Sequence, residues 1–296
     1  MKILLPVDGS EHSLGAAGFL NNLKLSESDS IHILHVIQFV PIVHDVETYS
    51  NIIYNIKEEL APRIIEETKT KLKDIPALIT DEVRDGDVEK TIIDAAMTTE
   101  ADLIVMGVRG MKGLTSFIVG STTRAVVLNS PIPVLAIKRK QWEITPPLKI
   151  LFATDGSEYS NIAGRFLASI PFRIETELTV LHVIQSPVHD IPERFFIEID
   201  DRAKQEVAKV RTIEFSHAEM ILERTIELLG DSFKDIKTLT KVGDPSTVIL
   251  SVARNIGADI ILTGCRGLKG LKGMLGSVSR NIMRHAVCSF MIGKAC

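Results

Sequence analysis

The sequence repeats itself, and this repetition is the feature that most limits the folds open to the chain. Residues 2–11, KILLPVDGSE, correspond to residues 149–158, KILFATDGSE. Residues 33–38, ILHVIQ, correspond to residues 180–185, VLHVIQ. Similar stretches in the same order in both halves indicate two copies of one structural unit. The chain is therefore predicted to form two domains of the same fold.

Length and composition agree with this prediction. A chain of 296 residues, 45% of them hydrophobic, can bury one core in each half. We place the domains at residues 1–140 and 148–296. The linker, residues 141–147, ends in Pro146-Pro147, and prolines stiffen a linker.

Each copy contains a glycine-rich segment that predicts an anion-binding loop. In the first copy, the apolar residues 101–106 precede Gly107 and Gly110, and residues 120–123, GSTT, open a stretch with helical spacing. The glycines admit a positive φ or a close approach of the backbone to a ligand. N–H groups and hydroxyls at the helix start favour an anion such as phosphate. A turn without a ligand is the alternative for a single motif of this kind.

The second copy repeats the loop with one residue fewer. Eight residues separate Gly267 from Gly276, whereas nine separate Gly110 from Gly120. The shorter loop either retunes the anion site or closes it. This loop is also more basic, with Arg266 among its cations. Charge-assisted contacts to phosphate can offset an imperfect backbone contact, so a site is predicted in both halves.

Asp8 follows an apolar run at the carboxyl end of the first predicted strand. It is interpreted either as a turn or capping carboxylate or as an acceptor for the adenosine part of a nucleotide. His35 and His182 lie inside apolar strands, where a histidine is more often packed and hydrogen-bonded than catalytic. No base and nucleophile stand out beside the glycine loops, so no catalytic residue is predicted.

Between these motifs the patterns of helix and strand alternate. Residues 48–72 predict a long helix with Leu60 on its apolar face and Pro62 as a kink. Residues 78–83 predict a third strand and residues 84–87 a turn into the next helix. The corresponding helical region of the second half is longer, about residues 197–229.

Charge and cysteine content exclude several classes of protein. The formal net charge of −4 gives no general attraction to nucleic acid or to an anionic membrane. The start of the chain lacks a signal-peptide pattern, and no apolar run reaches the roughly 20 residues of a membrane helix. Three cysteines are too few for a disulfide framework, and no Cys/His spacing indicates a metal site. Cys265, in the second loop, is either a small loop residue or a redox-sensitive thiol. We expect a soluble cytoplasmic protein.

Together the motifs resemble those of the universal stress protein family. The family pattern is a strand ending in Val-Asp-Gly-Ser, a second strand ending near His-Val, and a G-x2-G-x9-G-(S/T) loop. These motifs occur here twice, in order, over nearly the whole chain, with Thr154 in place of the valine and the second loop one residue short of the pattern. The likeness is to the tandem two-domain form. It implies an α/β fold of two doubly wound domains, each a five-stranded parallel sheet in the order 3-2-1-4-5 with helices on both faces. Asp8 and Gly107 would then meet at the crevice between strands 1 and 4.

The resemblance also implies one adenine-nucleotide site in each domain. Backbone groups at the Val36 position meet the adenine edge in this family. The implied ligand is ATP, ADP or AMP, with or without Mg²⁺. The candidate binding residues of the first half are Pro6, Val7, Asp8, Val36, Met106, Gly107, Arg109, Gly110, Gly120, Ser121, Thr122 and Thr123. Those of the second half are Ala153, Thr154, Asp155, Val183, Thr263, Gly264, Arg266, Gly267, Gly276, Ser277, Val278 and Ser279.

Three functions follow from this resemblance as alternatives. The first is a stress-response protein that binds adenine nucleotide as a sensor or regulator, with little or no catalysis. The second is an enzyme that hydrolyses ATP slowly, and the third is an interaction module that binds no nucleotide. ATP pyrophosphatases and adenylating enzymes need a Ser-Gly-Gly-x-Asp-like loop that residues 8–11 do not supply, and the chain has no G-x-x-x-x-G-K-[ST] motif.

Assembly is predicted from the last strand of each half. Residues 134–137 and 288–292 lie at sheet edges in the implied order, and an apolar edge strand invites pairing. Single-domain members of the family pair through this strand. We predict that the two halves pair through it within one chain, as an intramolecular pseudo-dimer, with a homodimer of whole chains as a further option. The sequence identifies no downstream protein partner.

Overall fold

The fold is described from a computed structural model, over residues 1–38, 56–108, 119–138, 147–172, 175–186, 200–267 and 275–294. The first half contains β1 (Lys2–Val7), α1 (Glu11–Phe19), β2 (Ser30–Gln38), α2 (Ala61–Leu72), β3 (Leu78–Gly86), α3 (Val88–Thr98), β4 (Leu103–Gly107), α4 (Ser121–Asn129) and β5 (Val134–Ile137). Short helical turns, Leu20–Asn22 and Ile56–Leu60, follow α1 and precede α2.

The second half repeats this order of elements. It contains β6 (Leu148–Ala153), α5 (Glu158–Ser169), β7 (Thr176–Ile184), α6 (Asp201–Leu229), β8 (Ile236–Val242), α7 (Pro245–Ile256), β9 (Ile260–Gly264), α8 (Ser277–His285) and β10 (Ser289–Gly293). A 3₁₀ turn, Gly230–Ser232, follows α6. Within the described ranges, no helix is long and apolar enough to cross a lipid bilayer.

The strands form one sheet in the order β3-β2-β1-β4-β5-β10-β9-β6-β7-β8. Neighbours within each half are parallel, so that Leu4 of β1 lies between His32 of β2 and Ile104 of β4. Each half therefore has the order 3-2-1-4-5, which confirms the predicted fold. The two predicted sheets are joined into one, because β5 and β10 pair antiparallel, with Leu135 opposite Met291.

The sheet is covered on both faces because its strands alternate between two apolar cores. One core packs Leu5 and Ile33 against Phe19 and Leu72, from α1 and α2. The other core packs Leu4, Leu34 and Ile104 against α3 and α4, and α5 to α8 cover the second half in the same way. Burying each large apolar side chain stabilises the fold by about 1.5–3 kcal/mol.

Side-chain caps start four helices directly after strand ends. Ser10, Asp87, Ser157 and Asp244 each accept a hydrogen bond from the backbone N–H three residues further on. Such a cap satisfies one of the helix's unpaired N–H groups and fixes where the helix begins. The chain therefore turns sharply at the carboxyl edge of the sheet, which leaves a crevice there.

One predicted boundary in the first half is wrong. β3 extends past Val83 to Gly86, because each of its residues pairs with β2. The described part of the helix predicted at residues 48–72 is helical, since the turn Ile56–Leu60 runs directly into α2, with Pro62 at the junction. Leu60 is 50% exposed rather than on the apolar face. Residues 39–55 lie outside the described ranges.

Two buried lysines cross the junction between the halves. Lys138, after β5, donates from Nζ to the carbonyl of Ala286 at the end of α8, and Lys294, after β10, donates to the carbonyl of Leu128 in α4 at 3.3 Å. The partial negative charge at a helix carboxyl end favours a cation. Burial nevertheless lowers the pKa of both lysines from 10.5 to about 8. Each half thus contacts the last helix of the other.

Candidate functional site

A cavity of about 340 Å³ lies at the carboxyl edge of β1 and β4, at the crevice predicted between strands 1 and 4. This size falls within the range typical of ligand pockets, about 300–1,000 Å³. Its lining residues are Pro6, Val7, Asp8, Ser10, Ser13, Leu34, Val36, Gln38, Val88, Ile92, Met106, Gly107, Gly120, Ser121, Thr122 and Thr123.

The structure brings together the candidate residues of the first half that it describes. Pro6 to Asp8 come from β1 and the turn after it, Val36 from β2, Met106 and Gly107 from β4, and Gly120 to Thr123 from the start of α4. Arg109 and Gly110 lie outside the described residues. The lining also includes residues that were not predicted, namely Ser10, Ser13 and Gln38 and the apolar wall of Leu34, Val88 and Ile92.

Asp8 has the geometry of its first interpretation, a turn carboxylate. Its Oδ1 accepts hydrogen bonds from the backbone N–H of Ser10 at 3.0 Å and from the Ser10 hydroxyl at 2.5 Å. The Ser10 hydroxyl in turn accepts from the N–H of Ser13 and caps α1. This network holds an exposed carboxylate at the mouth of the cavity, where it is also placed to accept from a ligand.

Gly107 lines the cavity and is also required for packing. A Cβ at this position would lie 2.4 Å from the carbonyl carbon and oxygen of His12 and 2.6 Å from the nitrogen of Ser13. The residue is therefore glycine because the backbone of α1 crosses the end of β4. Of the two alternatives predicted for it, a positive φ does not apply, since Gly107 is not among the glycines with that conformation, and close approach to a ligand stays a prediction.

Gly120, in contrast, leaves open space on the side of its missing Cβ, with nothing within 4 Å. It caps α4, whose first N–H groups have no partner within the helix. The Thr123 hydroxyl donates to the carbonyl of Gly107 at 3.3 Å, which ties the start of α4 to the end of β4. Backbone donors and the positive end of the helix dipole thus face the cavity, as anion binding requires.

A second cavity, of about 410 Å³, occupies the equivalent place in the second half. Its lining residues are Ala153, Thr154, Asp155, Ser160, Leu181, His182, Val183, Ile184, Gln185, Glu214, His217, Ile221, Pro245, Ile249, Thr263, Gly264, Arg266, Gly267, Gly276, Ser277, Val278 and Ser279. They include every candidate residue of the second half. Residues 268–274 of the shorter loop lie outside the described ranges.

The second cavity gains a wall that the sequence did not predict. Glu214, His217 and Ile221 lie three and four residues apart on α6, on the face that lines the cavity. Among the described residues of the first half, α2 contributes no side chain to the lining. Ile64 of α2 and Ile221 of α6 both pack against the glycine that follows β1 or β6. His217 lies four residues before Ile221, just as Leu60 lies four residues before Ile64. The polar residue at this equivalent position is the signal in the sequence that could have indicated the extra wall.

The two strand histidines are packed, as predicted. His35 Nδ1 lies 2.9 Å from the carbonyl oxygen of Val7, and His182 Nδ1 lies 3.0 Å from that of Thr154. A carbonyl only accepts, so in each neutral ring Nδ1 carries the proton and Nε2 is an acceptor. Burial lowers the pKa of His182 below 6.5, although the carbonyl of Thr154 and the carboxylate of Asp155 oppose this shift. His182 is therefore neutral near pH 7.

Two groups of the second loop have partners within the protein. The Arg266 guanidinium stacks over the Tyr159 ring at 4.9 Å and donates to the Tyr159 hydroxyl at 2.9 Å, and its contact with phosphate stays a prediction. The Gly276 N–H donates to the carbonyl of Cys265 at 2.8 Å and so closes the loop rather than facing a ligand. Cys265 is 1% exposed and disulfide-bonded, so it is not a free thiol in this structure.

Other contacts in the second loop preserve the predicted frame. The Ser279 hydroxyl donates to the carbonyl of Gly264 at 2.7 Å, as Thr123 does to Gly107. A Cβ at Gly267 would lie 2.5 Å from Oδ2 of Asp155, so the glycine lets this carboxylate approach the loop. Asp155 also accepts from the N–H of Ser157 at 3.1 Å. Within the described part of the chain, no three His, Cys, Asp or Glu side chains group to hold a metal.

Comparisons with solved structures agree with this architecture. A universal stress protein from Archaeoglobus fulgidus is similar at a TM-score of 0.67 with 23% identity, covering 100% of this chain and 98% of that one. A Pseudomonas aeruginosa protein described as functionally unknown is similar at a TM-score of 0.63 with 14% identity, covering 99% and 92%. At these identities the two structures show the shared fold.

Comparisons with sequences identify the family. A universal stress protein of Methanocaldococcus jannaschii is 29% identical over 143 residues, which cover 48% of this chain and 84% of that protein. The model of the Universal stress protein family matches residues 1–138 and again residues 148–294. The chain belongs to the universal stress protein family, and it carries the family's domain twice.

Proposed function

We propose that each half of this universal stress protein binds one adenine nucleotide, ATP, ADP or AMP. Through this binding the protein would act as a sensor or regulator in the stress response. It would do so in the cytoplasm, with little or no catalysis. The observation that carries the proposal is the convergence of the candidate residues on one cavity in each half. Residues from four separate segments of each half meet there.

The chemistry along the first cavity fits a nucleotide. At one end, the start of α4 offers backbone donors, and each hydrogen bond to a charged phosphate contributes about 1.5–3 kcal/mol. Leu34, Ile92 and Met106 give an apolar wall for the base. At the other end, Asp8 is placed to accept from sugar hydroxyls. Mg²⁺ would bind together with the phosphates of the nucleotide, which are among its usual ligands.

The direct test is the content of the purified protein. The full chain, purified without added nucleotide, would be denatured and its supernatant analysed by mass spectrometry. We expect adenine nucleotide in the supernatant, and calorimetric binding of ATP to protein stripped of ligand. An empty supernatant together with no ATP binding at millimolar concentration would support an interaction module instead.

Slow ATP hydrolysis is the second candidate, and it applies to the second half alone. His182 and His217 line that cavity together with Glu214, and a neutral imidazole is able to accept a proton from water. ADP release from ATP would be followed over hours. Turnover that persists in the parent and disappears in His217→Ala would support catalysis, whereas no turnover above the buffer rate would support binding alone.

The proposal extends to assembly. The two halves, residues 1–140 and 148–296, would act as an intramolecular pseudo-dimer with related nucleotide sites. The antiparallel pairing of β5 with β10 supports this arrangement, as do the reciprocal contacts of Lys138 and Lys294. The predicted linker lies outside the described residues apart from Pro147.

A further inference from the structure

The hydroxyl of Thr263 is buried in the second cavity without a hydrogen-bond partner among the described residues. Thr263 is 4% exposed, and it lines the cavity. Most buried polar groups in proteins are hydrogen-bonded, because leaving one unpaired is costly. A buried hydroxyl that faces a ligand cavity is therefore explained if the ligand supplies its partner.

The neighbours of Thr263 do not supply that partner. In the sheet, Thr263 lies between Ala153 of β6 and Ile292 of β10, and Leu181 of β7 follows beside Ala153. All three side chains belong to the apolar core under α7 and α8. A bound water needs two to four polar partners, and these apolar side chains offer it none.

The first cavity has no hydroxyl at this place. Gly107 and Gly264 end their strands in the same way, so Met106 is the counterpart of Thr263. Met106 is 5% exposed and lines the first cavity. A thioether is at most a weak acceptor, whereas a hydroxyl both donates and accepts. The two cavities therefore share a frame and differ in polarity at one position of the floor.

We propose that the Thr263 hydroxyl hydrogen-bonds the nucleoside part of the ligand and is a specificity-determining residue of the second cavity. This inference rests on the proposed function, because it takes an adenine nucleotide as the ligand. The nucleoside is favoured over the phosphates because Thr263 stands on the apolar floor between β6 and β10, before the loop and the start of α8 that would hold the anion. The hydroxyl can donate to a ring nitrogen or accept from an amino or sugar hydroxyl group.

The test compares Thr263→Val with Thr263→Ser in the full chain. Valine keeps the shape and removes the hydroxyl, and serine keeps the hydroxyl. Both variants would also carry Gly120→Leu, whose side chain fills the first cavity. Ligand binding is then measured at the second cavity alone. In titrations, the Thr263→Val variant should lose about five- to tenfold in affinity for both adenosine and ATP. The Thr263→Ser variant should lose less than about threefold. The melting temperature without ligand should not fall in the valine variant, because no protein hydrogen bond is lost.

Several outcomes overturn the inference, and they separate it from the proposed function. If the Thr263→Val variant binds adenosine as tightly as the parent background, or loses affinity only for ATP, Thr263 does not contact the nucleoside. The proposed nucleotide site is then unaffected. If valine lowers the melting temperature without ligand by several degrees, the hydroxyl is structural. If the parent background binds neither adenosine nor ATP, the second site fails and the inference fails with it.

Discussion

Alanine should lower stability at Gly107 and ligand affinity at Gly120, because the two glycines of one motif are required for different reasons. In Gly107→Ala, the added Cβ would lie 2.4–2.6 Å from backbone atoms of His12 and Ser13, where ordinary contacts begin near 3.4 Å. Backbone atoms cannot rotate away as a side chain can. Helix α1 would have to move by about 1 Å, against a core that is packed as tightly as a crystal.

The size of this effect can be worked out from the contact. Overpacking a core typically costs about 1–3 kcal/mol, and we expect the upper end because every close atom belongs to the backbone. For a unit of this size, about 1 kcal/mol lowers the melting temperature by about 2–4 °C, so Gly107→Ala should lose about 6–12 °C. Gly264→Ala should lose less, because its closest atoms are at 2.9 Å.

Gly120→Ala is the matched control. Nothing lies within 4 Å of the added Cβ, and the φ of −57° suits any residue. Stability should change by less than about 0.5 kcal/mol. Because the methyl group enters the cavity lining, ATP affinity should fall instead. Thermal unfolding followed by circular dichroism, together with calorimetric titration of ATP, measures both effects. Equal melting temperatures for Gly107→Ala and the parent would refute the packing argument, and unchanged ATP affinity in Gly120→Ala would refute the cavity argument.

Four further outcomes are expected. Asp8→Ala should weaken adenosine as well as ATP, and a loss confined to phosphate-bearing ligands would contradict the position given to Asp8. Because burial lowers the pKa of His182, the unfolded chain binds more protons below pH 6.5 and stability should fall there; His182→Asn should flatten this dependence in pH-resolved melts. The lysine pKa values of about 8 mean that stability should rise between about pH 8 and 10.5, and a double variant, Lys138→Met with Lys294→Met, should lose that rise. Small-angle scattering should give one compact particle, and two lobes of variable spacing would exclude the pseudo-dimer.

The sequence predicted the frame of the fold because that frame depends on repeated local patterns. Apolar runs such as residues 3–7 mark buried parallel strands, and the family resemblance supplied their order. The candidate residues converge for the same reason, since parallel strands end at one edge of a sheet. The end of β3 could not be placed, because its pairing with β2, which lies more than forty residues earlier in the sequence, extends it to Gly86.

The roles of single residues were harder to predict than their positions. Gly107 was correctly placed at the cavity, but its packing role was missed, since nothing local shows that the backbone of His12 passes over it. The contact of Arg266 with Tyr159, more than a hundred positions away, was also missed, because it cannot be placed from spacing. Contacts between residues distant in sequence give both residues these additional roles, and such contacts exist only in the fold.

The largest difference between the halves follows from ten additional residues in the second. Gly9 and Gly156 occupy equivalent turns, and Ile64 and Ile221 pack against them. The sequence between Gly156 and Ile221 is ten residues longer than the sequence between Gly9 and Ile64. The extra length lies in α6 itself, because α6 begins at Asp201, well before Ile221, whereas α2 begins at Ala61, just before Ile64. The longer helix carries Glu214 and His217 to the cavity wall. The duplicated frame holds the same backbone groups in both halves, since Thr123 and Ser279 bind matching carbonyls. Among the described residues, the two cavities therefore differ in their walls and floor, while the strands of both halves keep the same order.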